Sequence, residues 1–475
     1  MTSSRRVRMV VLVALLALTA AACGQKANVA QQVSSGGGGD GFGAGEASDL
    51  GDGGEPTSDT LAPDGSDATG TGGGTSRGAS GGGATTGGAG GTTPGDDGGG
   101  ETAAAGDRTG ITDKELVIGV HAPVTGAAAF PQVAFTDNQD LYWKWQNDRG
   151  GILNGRKVRV VFEDDKFDPN SAVRVCKKMV EQDKVFLLIG GGGADQITAC
   201  AKYANTVGVP YLSPGVNESG LAGLRGYFAF SQTYAQQGPL LAQMVQKHFP
   251  GKKVGIVVAD TPSFLDGEAA FFNAAQAAGL NIVHRTRINK NANQAETLTK
   301  ASELKGKGAE VVYYLGSPTV FFTMAQQGST QRFNPQYIGP GLTAGLNDVA
   351  KAGCPSIGPA RFFSPFPQFD VIDGLDPNYG QAHNRYNTGK QRFDIGIALW
   401  GLHKVLHAMF DAAGPDMSRQ SLVATLEGGK VFETRVFPPV QYSAKNHFGG
   451  LQVHVLQADC SRVEYRTFAQ FVSGF

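Results

Sequence analysis

The sequence lacks the short motifs by which many enzymes and metalloproteins are first recognised. From residue 110 onward it contains no Gly-x-Ser-x-Gly nucleophile elbow, no His-Glu-x-x-His helix and no phosphate-binding loop with its lysine. Only five cysteines occur in 475 residues, no two are spaced as Cys-x-x-Cys, and no histidine cluster accompanies them. We therefore expect a protein that is not an enzyme, with no catalytic residue, no cofactor and no metal site.

The sequence also lacks a hydrophobic run long enough for a retained membrane span near its start. The stretch from Met9 to Ala22 is apolar except for Thr19, but a spanning helix needs about 20 such residues. Three arginines precede this stretch and Cys23 follows it, as in an export signal. Small residues before a cysteine resemble a bacterial lipobox, although Ala20 stands where that pattern prefers leucine. The resemblance implies a signal peptide at 1–23, lipidation of Cys23, and a membrane anchor on the outer face of the cytoplasmic membrane.

Large apolar side chains are scarce between residues 24 and 109, where Gly, Ser, Thr, Ala and Asp dominate. Such a segment cannot bury enough apolar surface to offset the entropy of ordering, so we predict a disordered tether. It carries twelve acidic and three basic residues, a net charge of −9. A Gly-rich coil of this length has a reach of roughly 50 Å. Residues 110–475 carry a net charge of +5 with no dense basic stripe, so no nucleic acid partner is indicated.

From residue 111 the pattern changes to short β-branched runs that alternate with segments of helical period, which predicts parallel α/β structure. Strands are predicted at 116–120, 158–162 and 185–189, and a second set of such units follows residues 227–231. One amphipathic helix is predicted through Phe135 and Trp145.

Four cysteines remain besides Cys23, and in an exported protein an even number favours disulfides over buried free thiols. Three pairings are possible. Cys176 and Cys200 fall on consecutive predicted helices of one sheet, so a bridge between them is plausible.

Several segments, taken in order, resemble the Leu/Ile/Val-binding type of periplasmic binding protein. They are ITDKELVIGVHAPVTG, NDRGGILNGRKVRVVFEDDKFDP, VFLLIGGGGAD, VGVPYLSPGVNES and FAFSQTYAQQGP. Each segment alone is weakly specific, whereas their combined order over residues 110 to 475 is specific. The resemblance implies a type I fold of two doubly wound parallel-sheet lobes joined by three hinge crossings. It places lobe one at 110–231 plus 362–449 and lobe two at 232–361 plus 450–475. Cys354 and Cys460 then share lobe two, which favours their pairing.

The resemblance also implies a ligand site between the lobes. The matching positions in lobe one are Phe130, Gly193, Ala194, Asp195, Gly215 and Asn217, with Tyr234 on the hinge side. Those in lobe two are Phe264, Ser317, and Gly341 or Leu342, where the family has the acid that binds an α-ammonium. A glycine and a leucine cannot replace that acid, so a reversed amino acid, an amide, a cation or an apolar acid all stay open as ligands. Asp195 could instead cap the helix that follows it.

The function implied is that of a monomeric substrate-binding lipoprotein of an ABC importer, which binds a small molecule and passes it to permease subunits. The alternative is a lipoprotein of the same fold that senses a ligand and signals to a membrane partner without transport.

Overall fold

The computed structural model describes residues 106–126, 130–213, 219–341 and 343–475. The expected signal peptide, Cys23 and nearly all of the expected tether lie outside the described residues. Residues 106–109, which the sequence assigns to the tether, pack against the folded body: the Asp107 amide donates to Gln420 Oε1 at 2.8 Å, and its carboxylate pairs with Arg419. The folded body therefore includes Gly106.

The first sheet has five parallel strands in the order β2-β1-β3-β4-β5. Its strands are β1 Glu115–Ala122, β2 Lys157–Asp164, β3 Leu187–Gly190, β4 Tyr211–Ser213 and β5 Tyr227–Ala229. Seven of the eight residues of β1 are buried, as expected for an inner strand that has helices on both faces. Its helices are α1 Gln132–Asn138, α2 Leu141–Asn147, α3 Pro169–Glu181 and α4 Ala194–Thr206.

The second sheet has seven strands in the order β14-β13-β10-β9-β8-β6-β7. Its parallel strands are β6 Lys253–Ala259, β7 Asn281–Ile288, β8 Val311–Leu315, β9 Gln336–Gly339 and β10 Arg361–Ser364. Two antiparallel strands, β13 Val453–Asp459 and β14 Glu464–Val472, extend it at one edge. Its helices are α5 Tyr234–His248, α6 Leu265–Ala277, α7 Gln294–Gly306, α8 Pro318–Thr330 and α9 Asn347–Gly353.

The chain between β10 and β13 returns to the first sheet. It forms α10 Phe369–Leu375, α11 Pro377–Tyr386, α12 Asp394–Ala413, α13 Arg419–Glu427 and a hairpin of β11 Gly428–Phe432 with β12 Val440–Ser443. Helix α12 packs on α1 and α2, and Arg419 donates to the carbonyl of Phe186 at 2.9 Å. We call the first sheet with these elements the first lobe, and the second sheet with its helices the second lobe.

Three connections therefore join the lobes: after β5, after β10 and after β12. Strand β10 pairs with β9 and β13, so the second connection follows Ser364, slightly beyond the position 361/362 given by the resemblance.

The predicted disulfides are present. Cys176 of α3 bonds Cys200 of α4 within the first lobe, and Cys354 bonds Cys460 within the second. Asp168 caps the start of α3, because its carboxylate accepts from the Ser171 amide at 2.6 Å and Pro169 takes the first helical position.

The single helix expected through Phe135 and Trp145 is wrong, since the structure has two short helices there, α1 and α2. The break coincides with Asn138, whose buried side-chain amide donates to the carbonyl of Ala134 at 2.8 Å. A side chain that bonds the preceding turn in this way competes with the backbone ladder of the helix. Among the helices of the described ranges, none has the length and apolar character needed to cross a membrane.

Candidate functional site

A cleft lies where the carboxyl ends of the parallel strands of the two sheets face each other. Its cavity of about 60 Å³ is lined from the first lobe by residues that follow β1, β2 and β3, and from the second lobe by residues that follow β6, β7, β8 and β9. In each sheet the strand order reverses once, between β1 and β3 and between β6 and β8. Ligands of open α/β sheets bind at the carboxyl ends of strands beside such reversals. The cleft is therefore the candidate ligand site.

The wall formed by the first lobe depends on glycine at the turn between β3 and α4. Gly193 has φ 78°, a left-handed conformation that few other residues adopt. The ring of Phe130 lies directly on the backbone of Gly192, where an added Cβ would come within 2.4 Å of Phe130 Cε2. A larger residue at either position would move this ring or the first turn of α4.

Asp195 bridges the two lobes. Its carboxylate accepts hydrogen bonds from Ser263 Oγ at 2.9 Å and Thr261 Oγ1 at 3.2 Å, both in the loop after β6. Lys290 Nζ, in the loop after β7, donates to it at 2.7 Å. Burial raises the pKa of Asp195, but the bonds from Lys290 and the two hydroxyls outweigh burial and hold the pKa below its ordinary value. Asp195 is thus an anion, and its three side-chain donors all come from the opposite lobe.

The helix cap at α4 is Gly193, and no side chain in the described part of the chain caps this helix. The alternative in which Asp195 caps α4 is therefore wrong. The Asp195 carboxylate instead accepts its hydrogen bonds from Thr261, Ser263 and Lys290 of the second lobe.

The loop that carries Lys290 is fixed to the rest of the second lobe through Ser317. Ser317 Oγ donates to the carbonyl of Lys290 at 3.1 Å and accepts from the Val320 amide, so it also caps α8. The hydroxyl of Tyr314 donates to the carbonyl of Ser317 at 2.8 Å. Ser317 thereby positions the cation that pairs with Asp195.

Aromatic rings and a fixed backbone turn line the hinge side of the cleft. Tyr234, at the start of α5, packs edge-on against Phe264 with ring centroids 5.5 Å apart. The Gly341 amide donates to Gln237 Oε1 at 3.0 Å. Gly341 has φ 76°, and a Cβ there would lie 3.1 Å from the ring of Tyr234. An acidic side chain at this position would therefore be strained.

Charge in the cleft is balanced. Of the described residues that line the cavity, the charged ones are Asp195 and Lys290, and they pair with each other. Gln196 also lines the cavity; its side chain is 1% exposed, and its Nε2 has no hydrogen-bond partner among the described residues. The described part of the site thus has an apolar wall, an ion pair with no net charge and one buried amide donor without a hydrogen-bond partner.

Comparison with known proteins decides the family. The sequence profile described as periplasmic binding protein matches residues 115–462, well over half of the chain. The chain belongs to the periplasmic binding protein family. The resemblance seen in the sequence is confirmed, as is the expectation of a protein that binds ligands and is not an enzyme.

Individual relatives agree with this family. An amino acid binding protein of Pseudomonas aeruginosa is 30% identical over 238 residues, which are 46% of this chain and 59% of that protein. The match therefore spans about three-fifths of that relative. A Leu/Ile/Val-binding protein homolog of Brucella melitensis is 25% identical over 54% of this chain and 68% of its own. A leucine binding protein from Thermotoga maritima superposes with a TM-score of 0.64 at 15% identity, over 74% of this chain and 97% of that one. The periplasmic binding protein fold of two doubly wound lobes is thus confirmed.

The structure brings most of the expected site residues together. Those that line the cavity are Phe130, Gly193, Ala194, Asp195, Tyr234, Phe264 and Ser317. Gly341 lies beside them against Tyr234. Gly215, Asn217 and Leu342 lie outside the described residues, and their contact with a ligand stays a prediction.

Sequence reasoning missed the partners of Asp195 and the buried amide beside it. Thr261 and Ser263 follow β6, and Lys290 follows β7, but no local pattern shows which residue of the opposite lobe they meet. Gln196 could have been found, because it lies in the first turn of the helix that follows the glycine run.

Proposed function

We infer that this periplasmic binding protein is the extracytoplasmic substrate-binding component of an ABC importer. It captures a small molecule, a branched-chain amino acid or a related amide or small acid, when its two lobes close around the cleft. It then delivers this molecule to the permease subunits of the importer.

The observation that carries the proposal is the bridge from Asp195 to three side chains of the opposite lobe, next to a cavity lined from both lobes. Ligand pockets usually measure about 300–1,000 Å³, whereas this cavity measures about 60 Å³. A ligand therefore needs the lobes to separate before it enters. A ligand that contacts both lobes stabilises the closed arrangement, so closure reports occupancy.

A thermal-shift screen of the full chain tests this proposal. The library contains proteinogenic amino acids, their amides, and small aliphatic and aromatic carboxylates. Binding to the folded state stabilises it by roughly 2.7 kcal/mol at a ligand concentration of 100 Kd, so a true ligand raises the melting temperature in a dose-dependent manner. A library in which no compound raises the melting temperature would contradict the proposal.

Membrane attachment through Cys23 is a separate part of the proposal. It is supported by the apolar stretch before this cysteine and by the family, whose members act outside the cytoplasm. Metabolic labelling with palmitate should mark the parent chain and not Cys23→Ser. Equal labelling of both chains would assign the label to another residue.

A further inference from the structure

We propose that Gln196 binds the polar end of the ligand, and that the ligand is a small carboxylate with an apolar body and no ammonium group. This inference rests on the proposed function, because it names the class of molecule that the cleft accepts.

The first step is the unsatisfied donor. Gln196 is 1% exposed, lines the cavity, and has no partner for Nε2 among the described residues. A buried amide N–H without an acceptor is costly, and most such groups in folded proteins are paired. An oxygen of a bound molecule in the cavity would supply the missing acceptor.

The second step is the local field. Gln196 lies in the first turn of α4, whose N-terminus carries partial positive charge and whose amides receive no side-chain cap from the residues that the structure describes. The one carboxylate in this turn, Asp195, is neutralised by Lys290 at 2.7 Å. An anion beside Gln196 therefore meets uncapped amides and a compensated acid, which favours a carboxylate over a neutral carbonyl.

The third step concerns the α-ammonium of an amino acid. Asp195 is the acid among the described residues that line the cavity, and it already accepts from Lys290, Ser263 and Thr261. The position at which the resemblance expects the acid for an ammonium is Gly341 or Leu342. An ammonium brought into the cleft would lose its water without gaining a free anion, which is strongly unfavourable.

The fourth step concerns the body of the ligand. The remaining wall is mostly apolar and includes the aromatic side chains Phe130, Phe167, Tyr234 and Phe264. Aromatic faces of this kind favour an apolar group, and a ring above all.

The test uses two pairs of compounds that differ only in the ammonium group: 3-phenylpropionate against phenylalanine, and 4-methylpentanoate against leucine. Isothermal titration calorimetry of the full chain should show that the carboxylate binds at least tenfold more tightly than its amino acid in the pair that binds better. If the amino acid binds more tightly in both pairs, the inference fails while the proposed function stands. If neither pair binds, the inference also fails, and the broader screen decides the proposed function separately.

Variants of Gln196 test its role directly. Gln196→Leu removes the donor and should weaken carboxylate binding at least tenfold, with a ligand-free melting temperature no lower than that of the parent. Gln196→Glu supplies an anion at the same place and should shift the ratio of phenylalanine to 3-phenylpropionate affinity towards phenylalanine by more than tenfold.

The matched control is Gln182→Glu, which places the same charge on an exposed residue at the end of α3 and should leave both affinities unchanged. A Gln196→Leu chain that folds and binds 3-phenylpropionate as tightly as the parent would overturn the assignment of Gln196.

Discussion

Asp195 and Lys290 offer the sharpest test of how the lobes are held together. Asp195→Asn keeps an oxygen that can accept from Ser263 and Thr261 but removes the charge that pairs with Lys290. Asp195→Ala removes all three bonds, which measure 2.7 to 3.2 Å. Lys290→Met removes the cation and keeps the stem of its side chain.

The expected magnitudes follow from geometry and exposure. The Lys290 side chain is 40% exposed and the Asp195 side chain 25% exposed, so the ion pair contributes about 0.5–1 kcal/mol to closure after solvent screening. Two further hydrogen bonds to a carboxylate bring the total to about 2 kcal/mol. If binding requires closure, Asp195→Ala should weaken ligand affinity roughly 30-fold, because each 1.4 kcal/mol is a factor of ten. Asp195→Asn and Lys290→Met should each weaken ligand affinity by roughly threefold. The double variant should also weaken it by about threefold, because both changes remove the same ion pair.

Isothermal titration calorimetry with several ligands measures these losses. Because Asp195 acts between the lobes, its loss should weaken all ligands by a similar factor. The ion pair Lys252–Glu310, at 2.6 Å within the second lobe, is the control, and Glu310→Gln should leave affinity unchanged. Affinities within twofold of the parent for Asp195→Ala would refute a role of Asp195 in closure, and a loss confined to one ligand would return it to ligand contact.

The pH dependence has a definite sign. The folded-state pKa of Asp195 lies below its ordinary value of 3.8, so the contribution of this carboxylate is complete above pH 3.8 and is lost only as the pH falls through the lower folded value. Its part in binding should therefore be the same at pH 7 and pH 5.

Two further predictions concern stability. Burial lowers the pKa of His403 from 6.5 to about 3, and neither ring nitrogen has a hydrogen-bond partner among the described residues. Because the folded protein holds this ring neutral, the free energy of unfolding is highest above pH 6.5 and falls as the pH drops towards 3. His403→Leu should raise the free energy of unfolding at pH 7 by about 1–3 kcal/mol and should reduce the stability lost between pH 7 and pH 5, as measured by urea unfolding. A variant less stable than the parent at both pH values would contradict this. The Cys354–Cys460 disulfide closes a loop of 106 residues, whereas Cys176–Cys200 closes one of 24. Replacing both cysteines of the first pair should therefore cost about 1 kcal/mol more stability than replacing both of the second, in the chain-entropy model. The reverse order in denaturant titrations would contradict that model here.

Much of the fold follows from local sequence patterns. Buried β-branched runs such as the one in β1, and the Asp168-Pro169 helix start, are local signals that the chain obeys. The split of the predicted helix near Asn138 was missed, because a side-chain bond to the preceding turn leaves no mark in hydrophobic periodicity.

The candidate site shows the limit of such reasoning. Phe130, Asp195 and Phe264 follow strands whose ends meet at one edge of each sheet, so their place beside the cleft was predictable. The partner of Asp195 was not, since Lys290 is 95 residues away along the chain and the contact depends on how the lobes are oriented. The structure places Asp195 in a bridge between the lobes, and its contact with a ligand stays a prediction.

The most direct test of the account is the distance between the lobes. Spin labels at Asn170→Cys, in the exposed first turn of α3, and at Asn291→Cys, in the exposed loop after β7, lie on opposite sides of the cleft. Double electron–electron resonance should show a shorter and narrower distance distribution when the full chain is saturated with the library compound that raises its melting temperature most. An identical distribution with and without that compound would contradict closure of the lobes around a ligand.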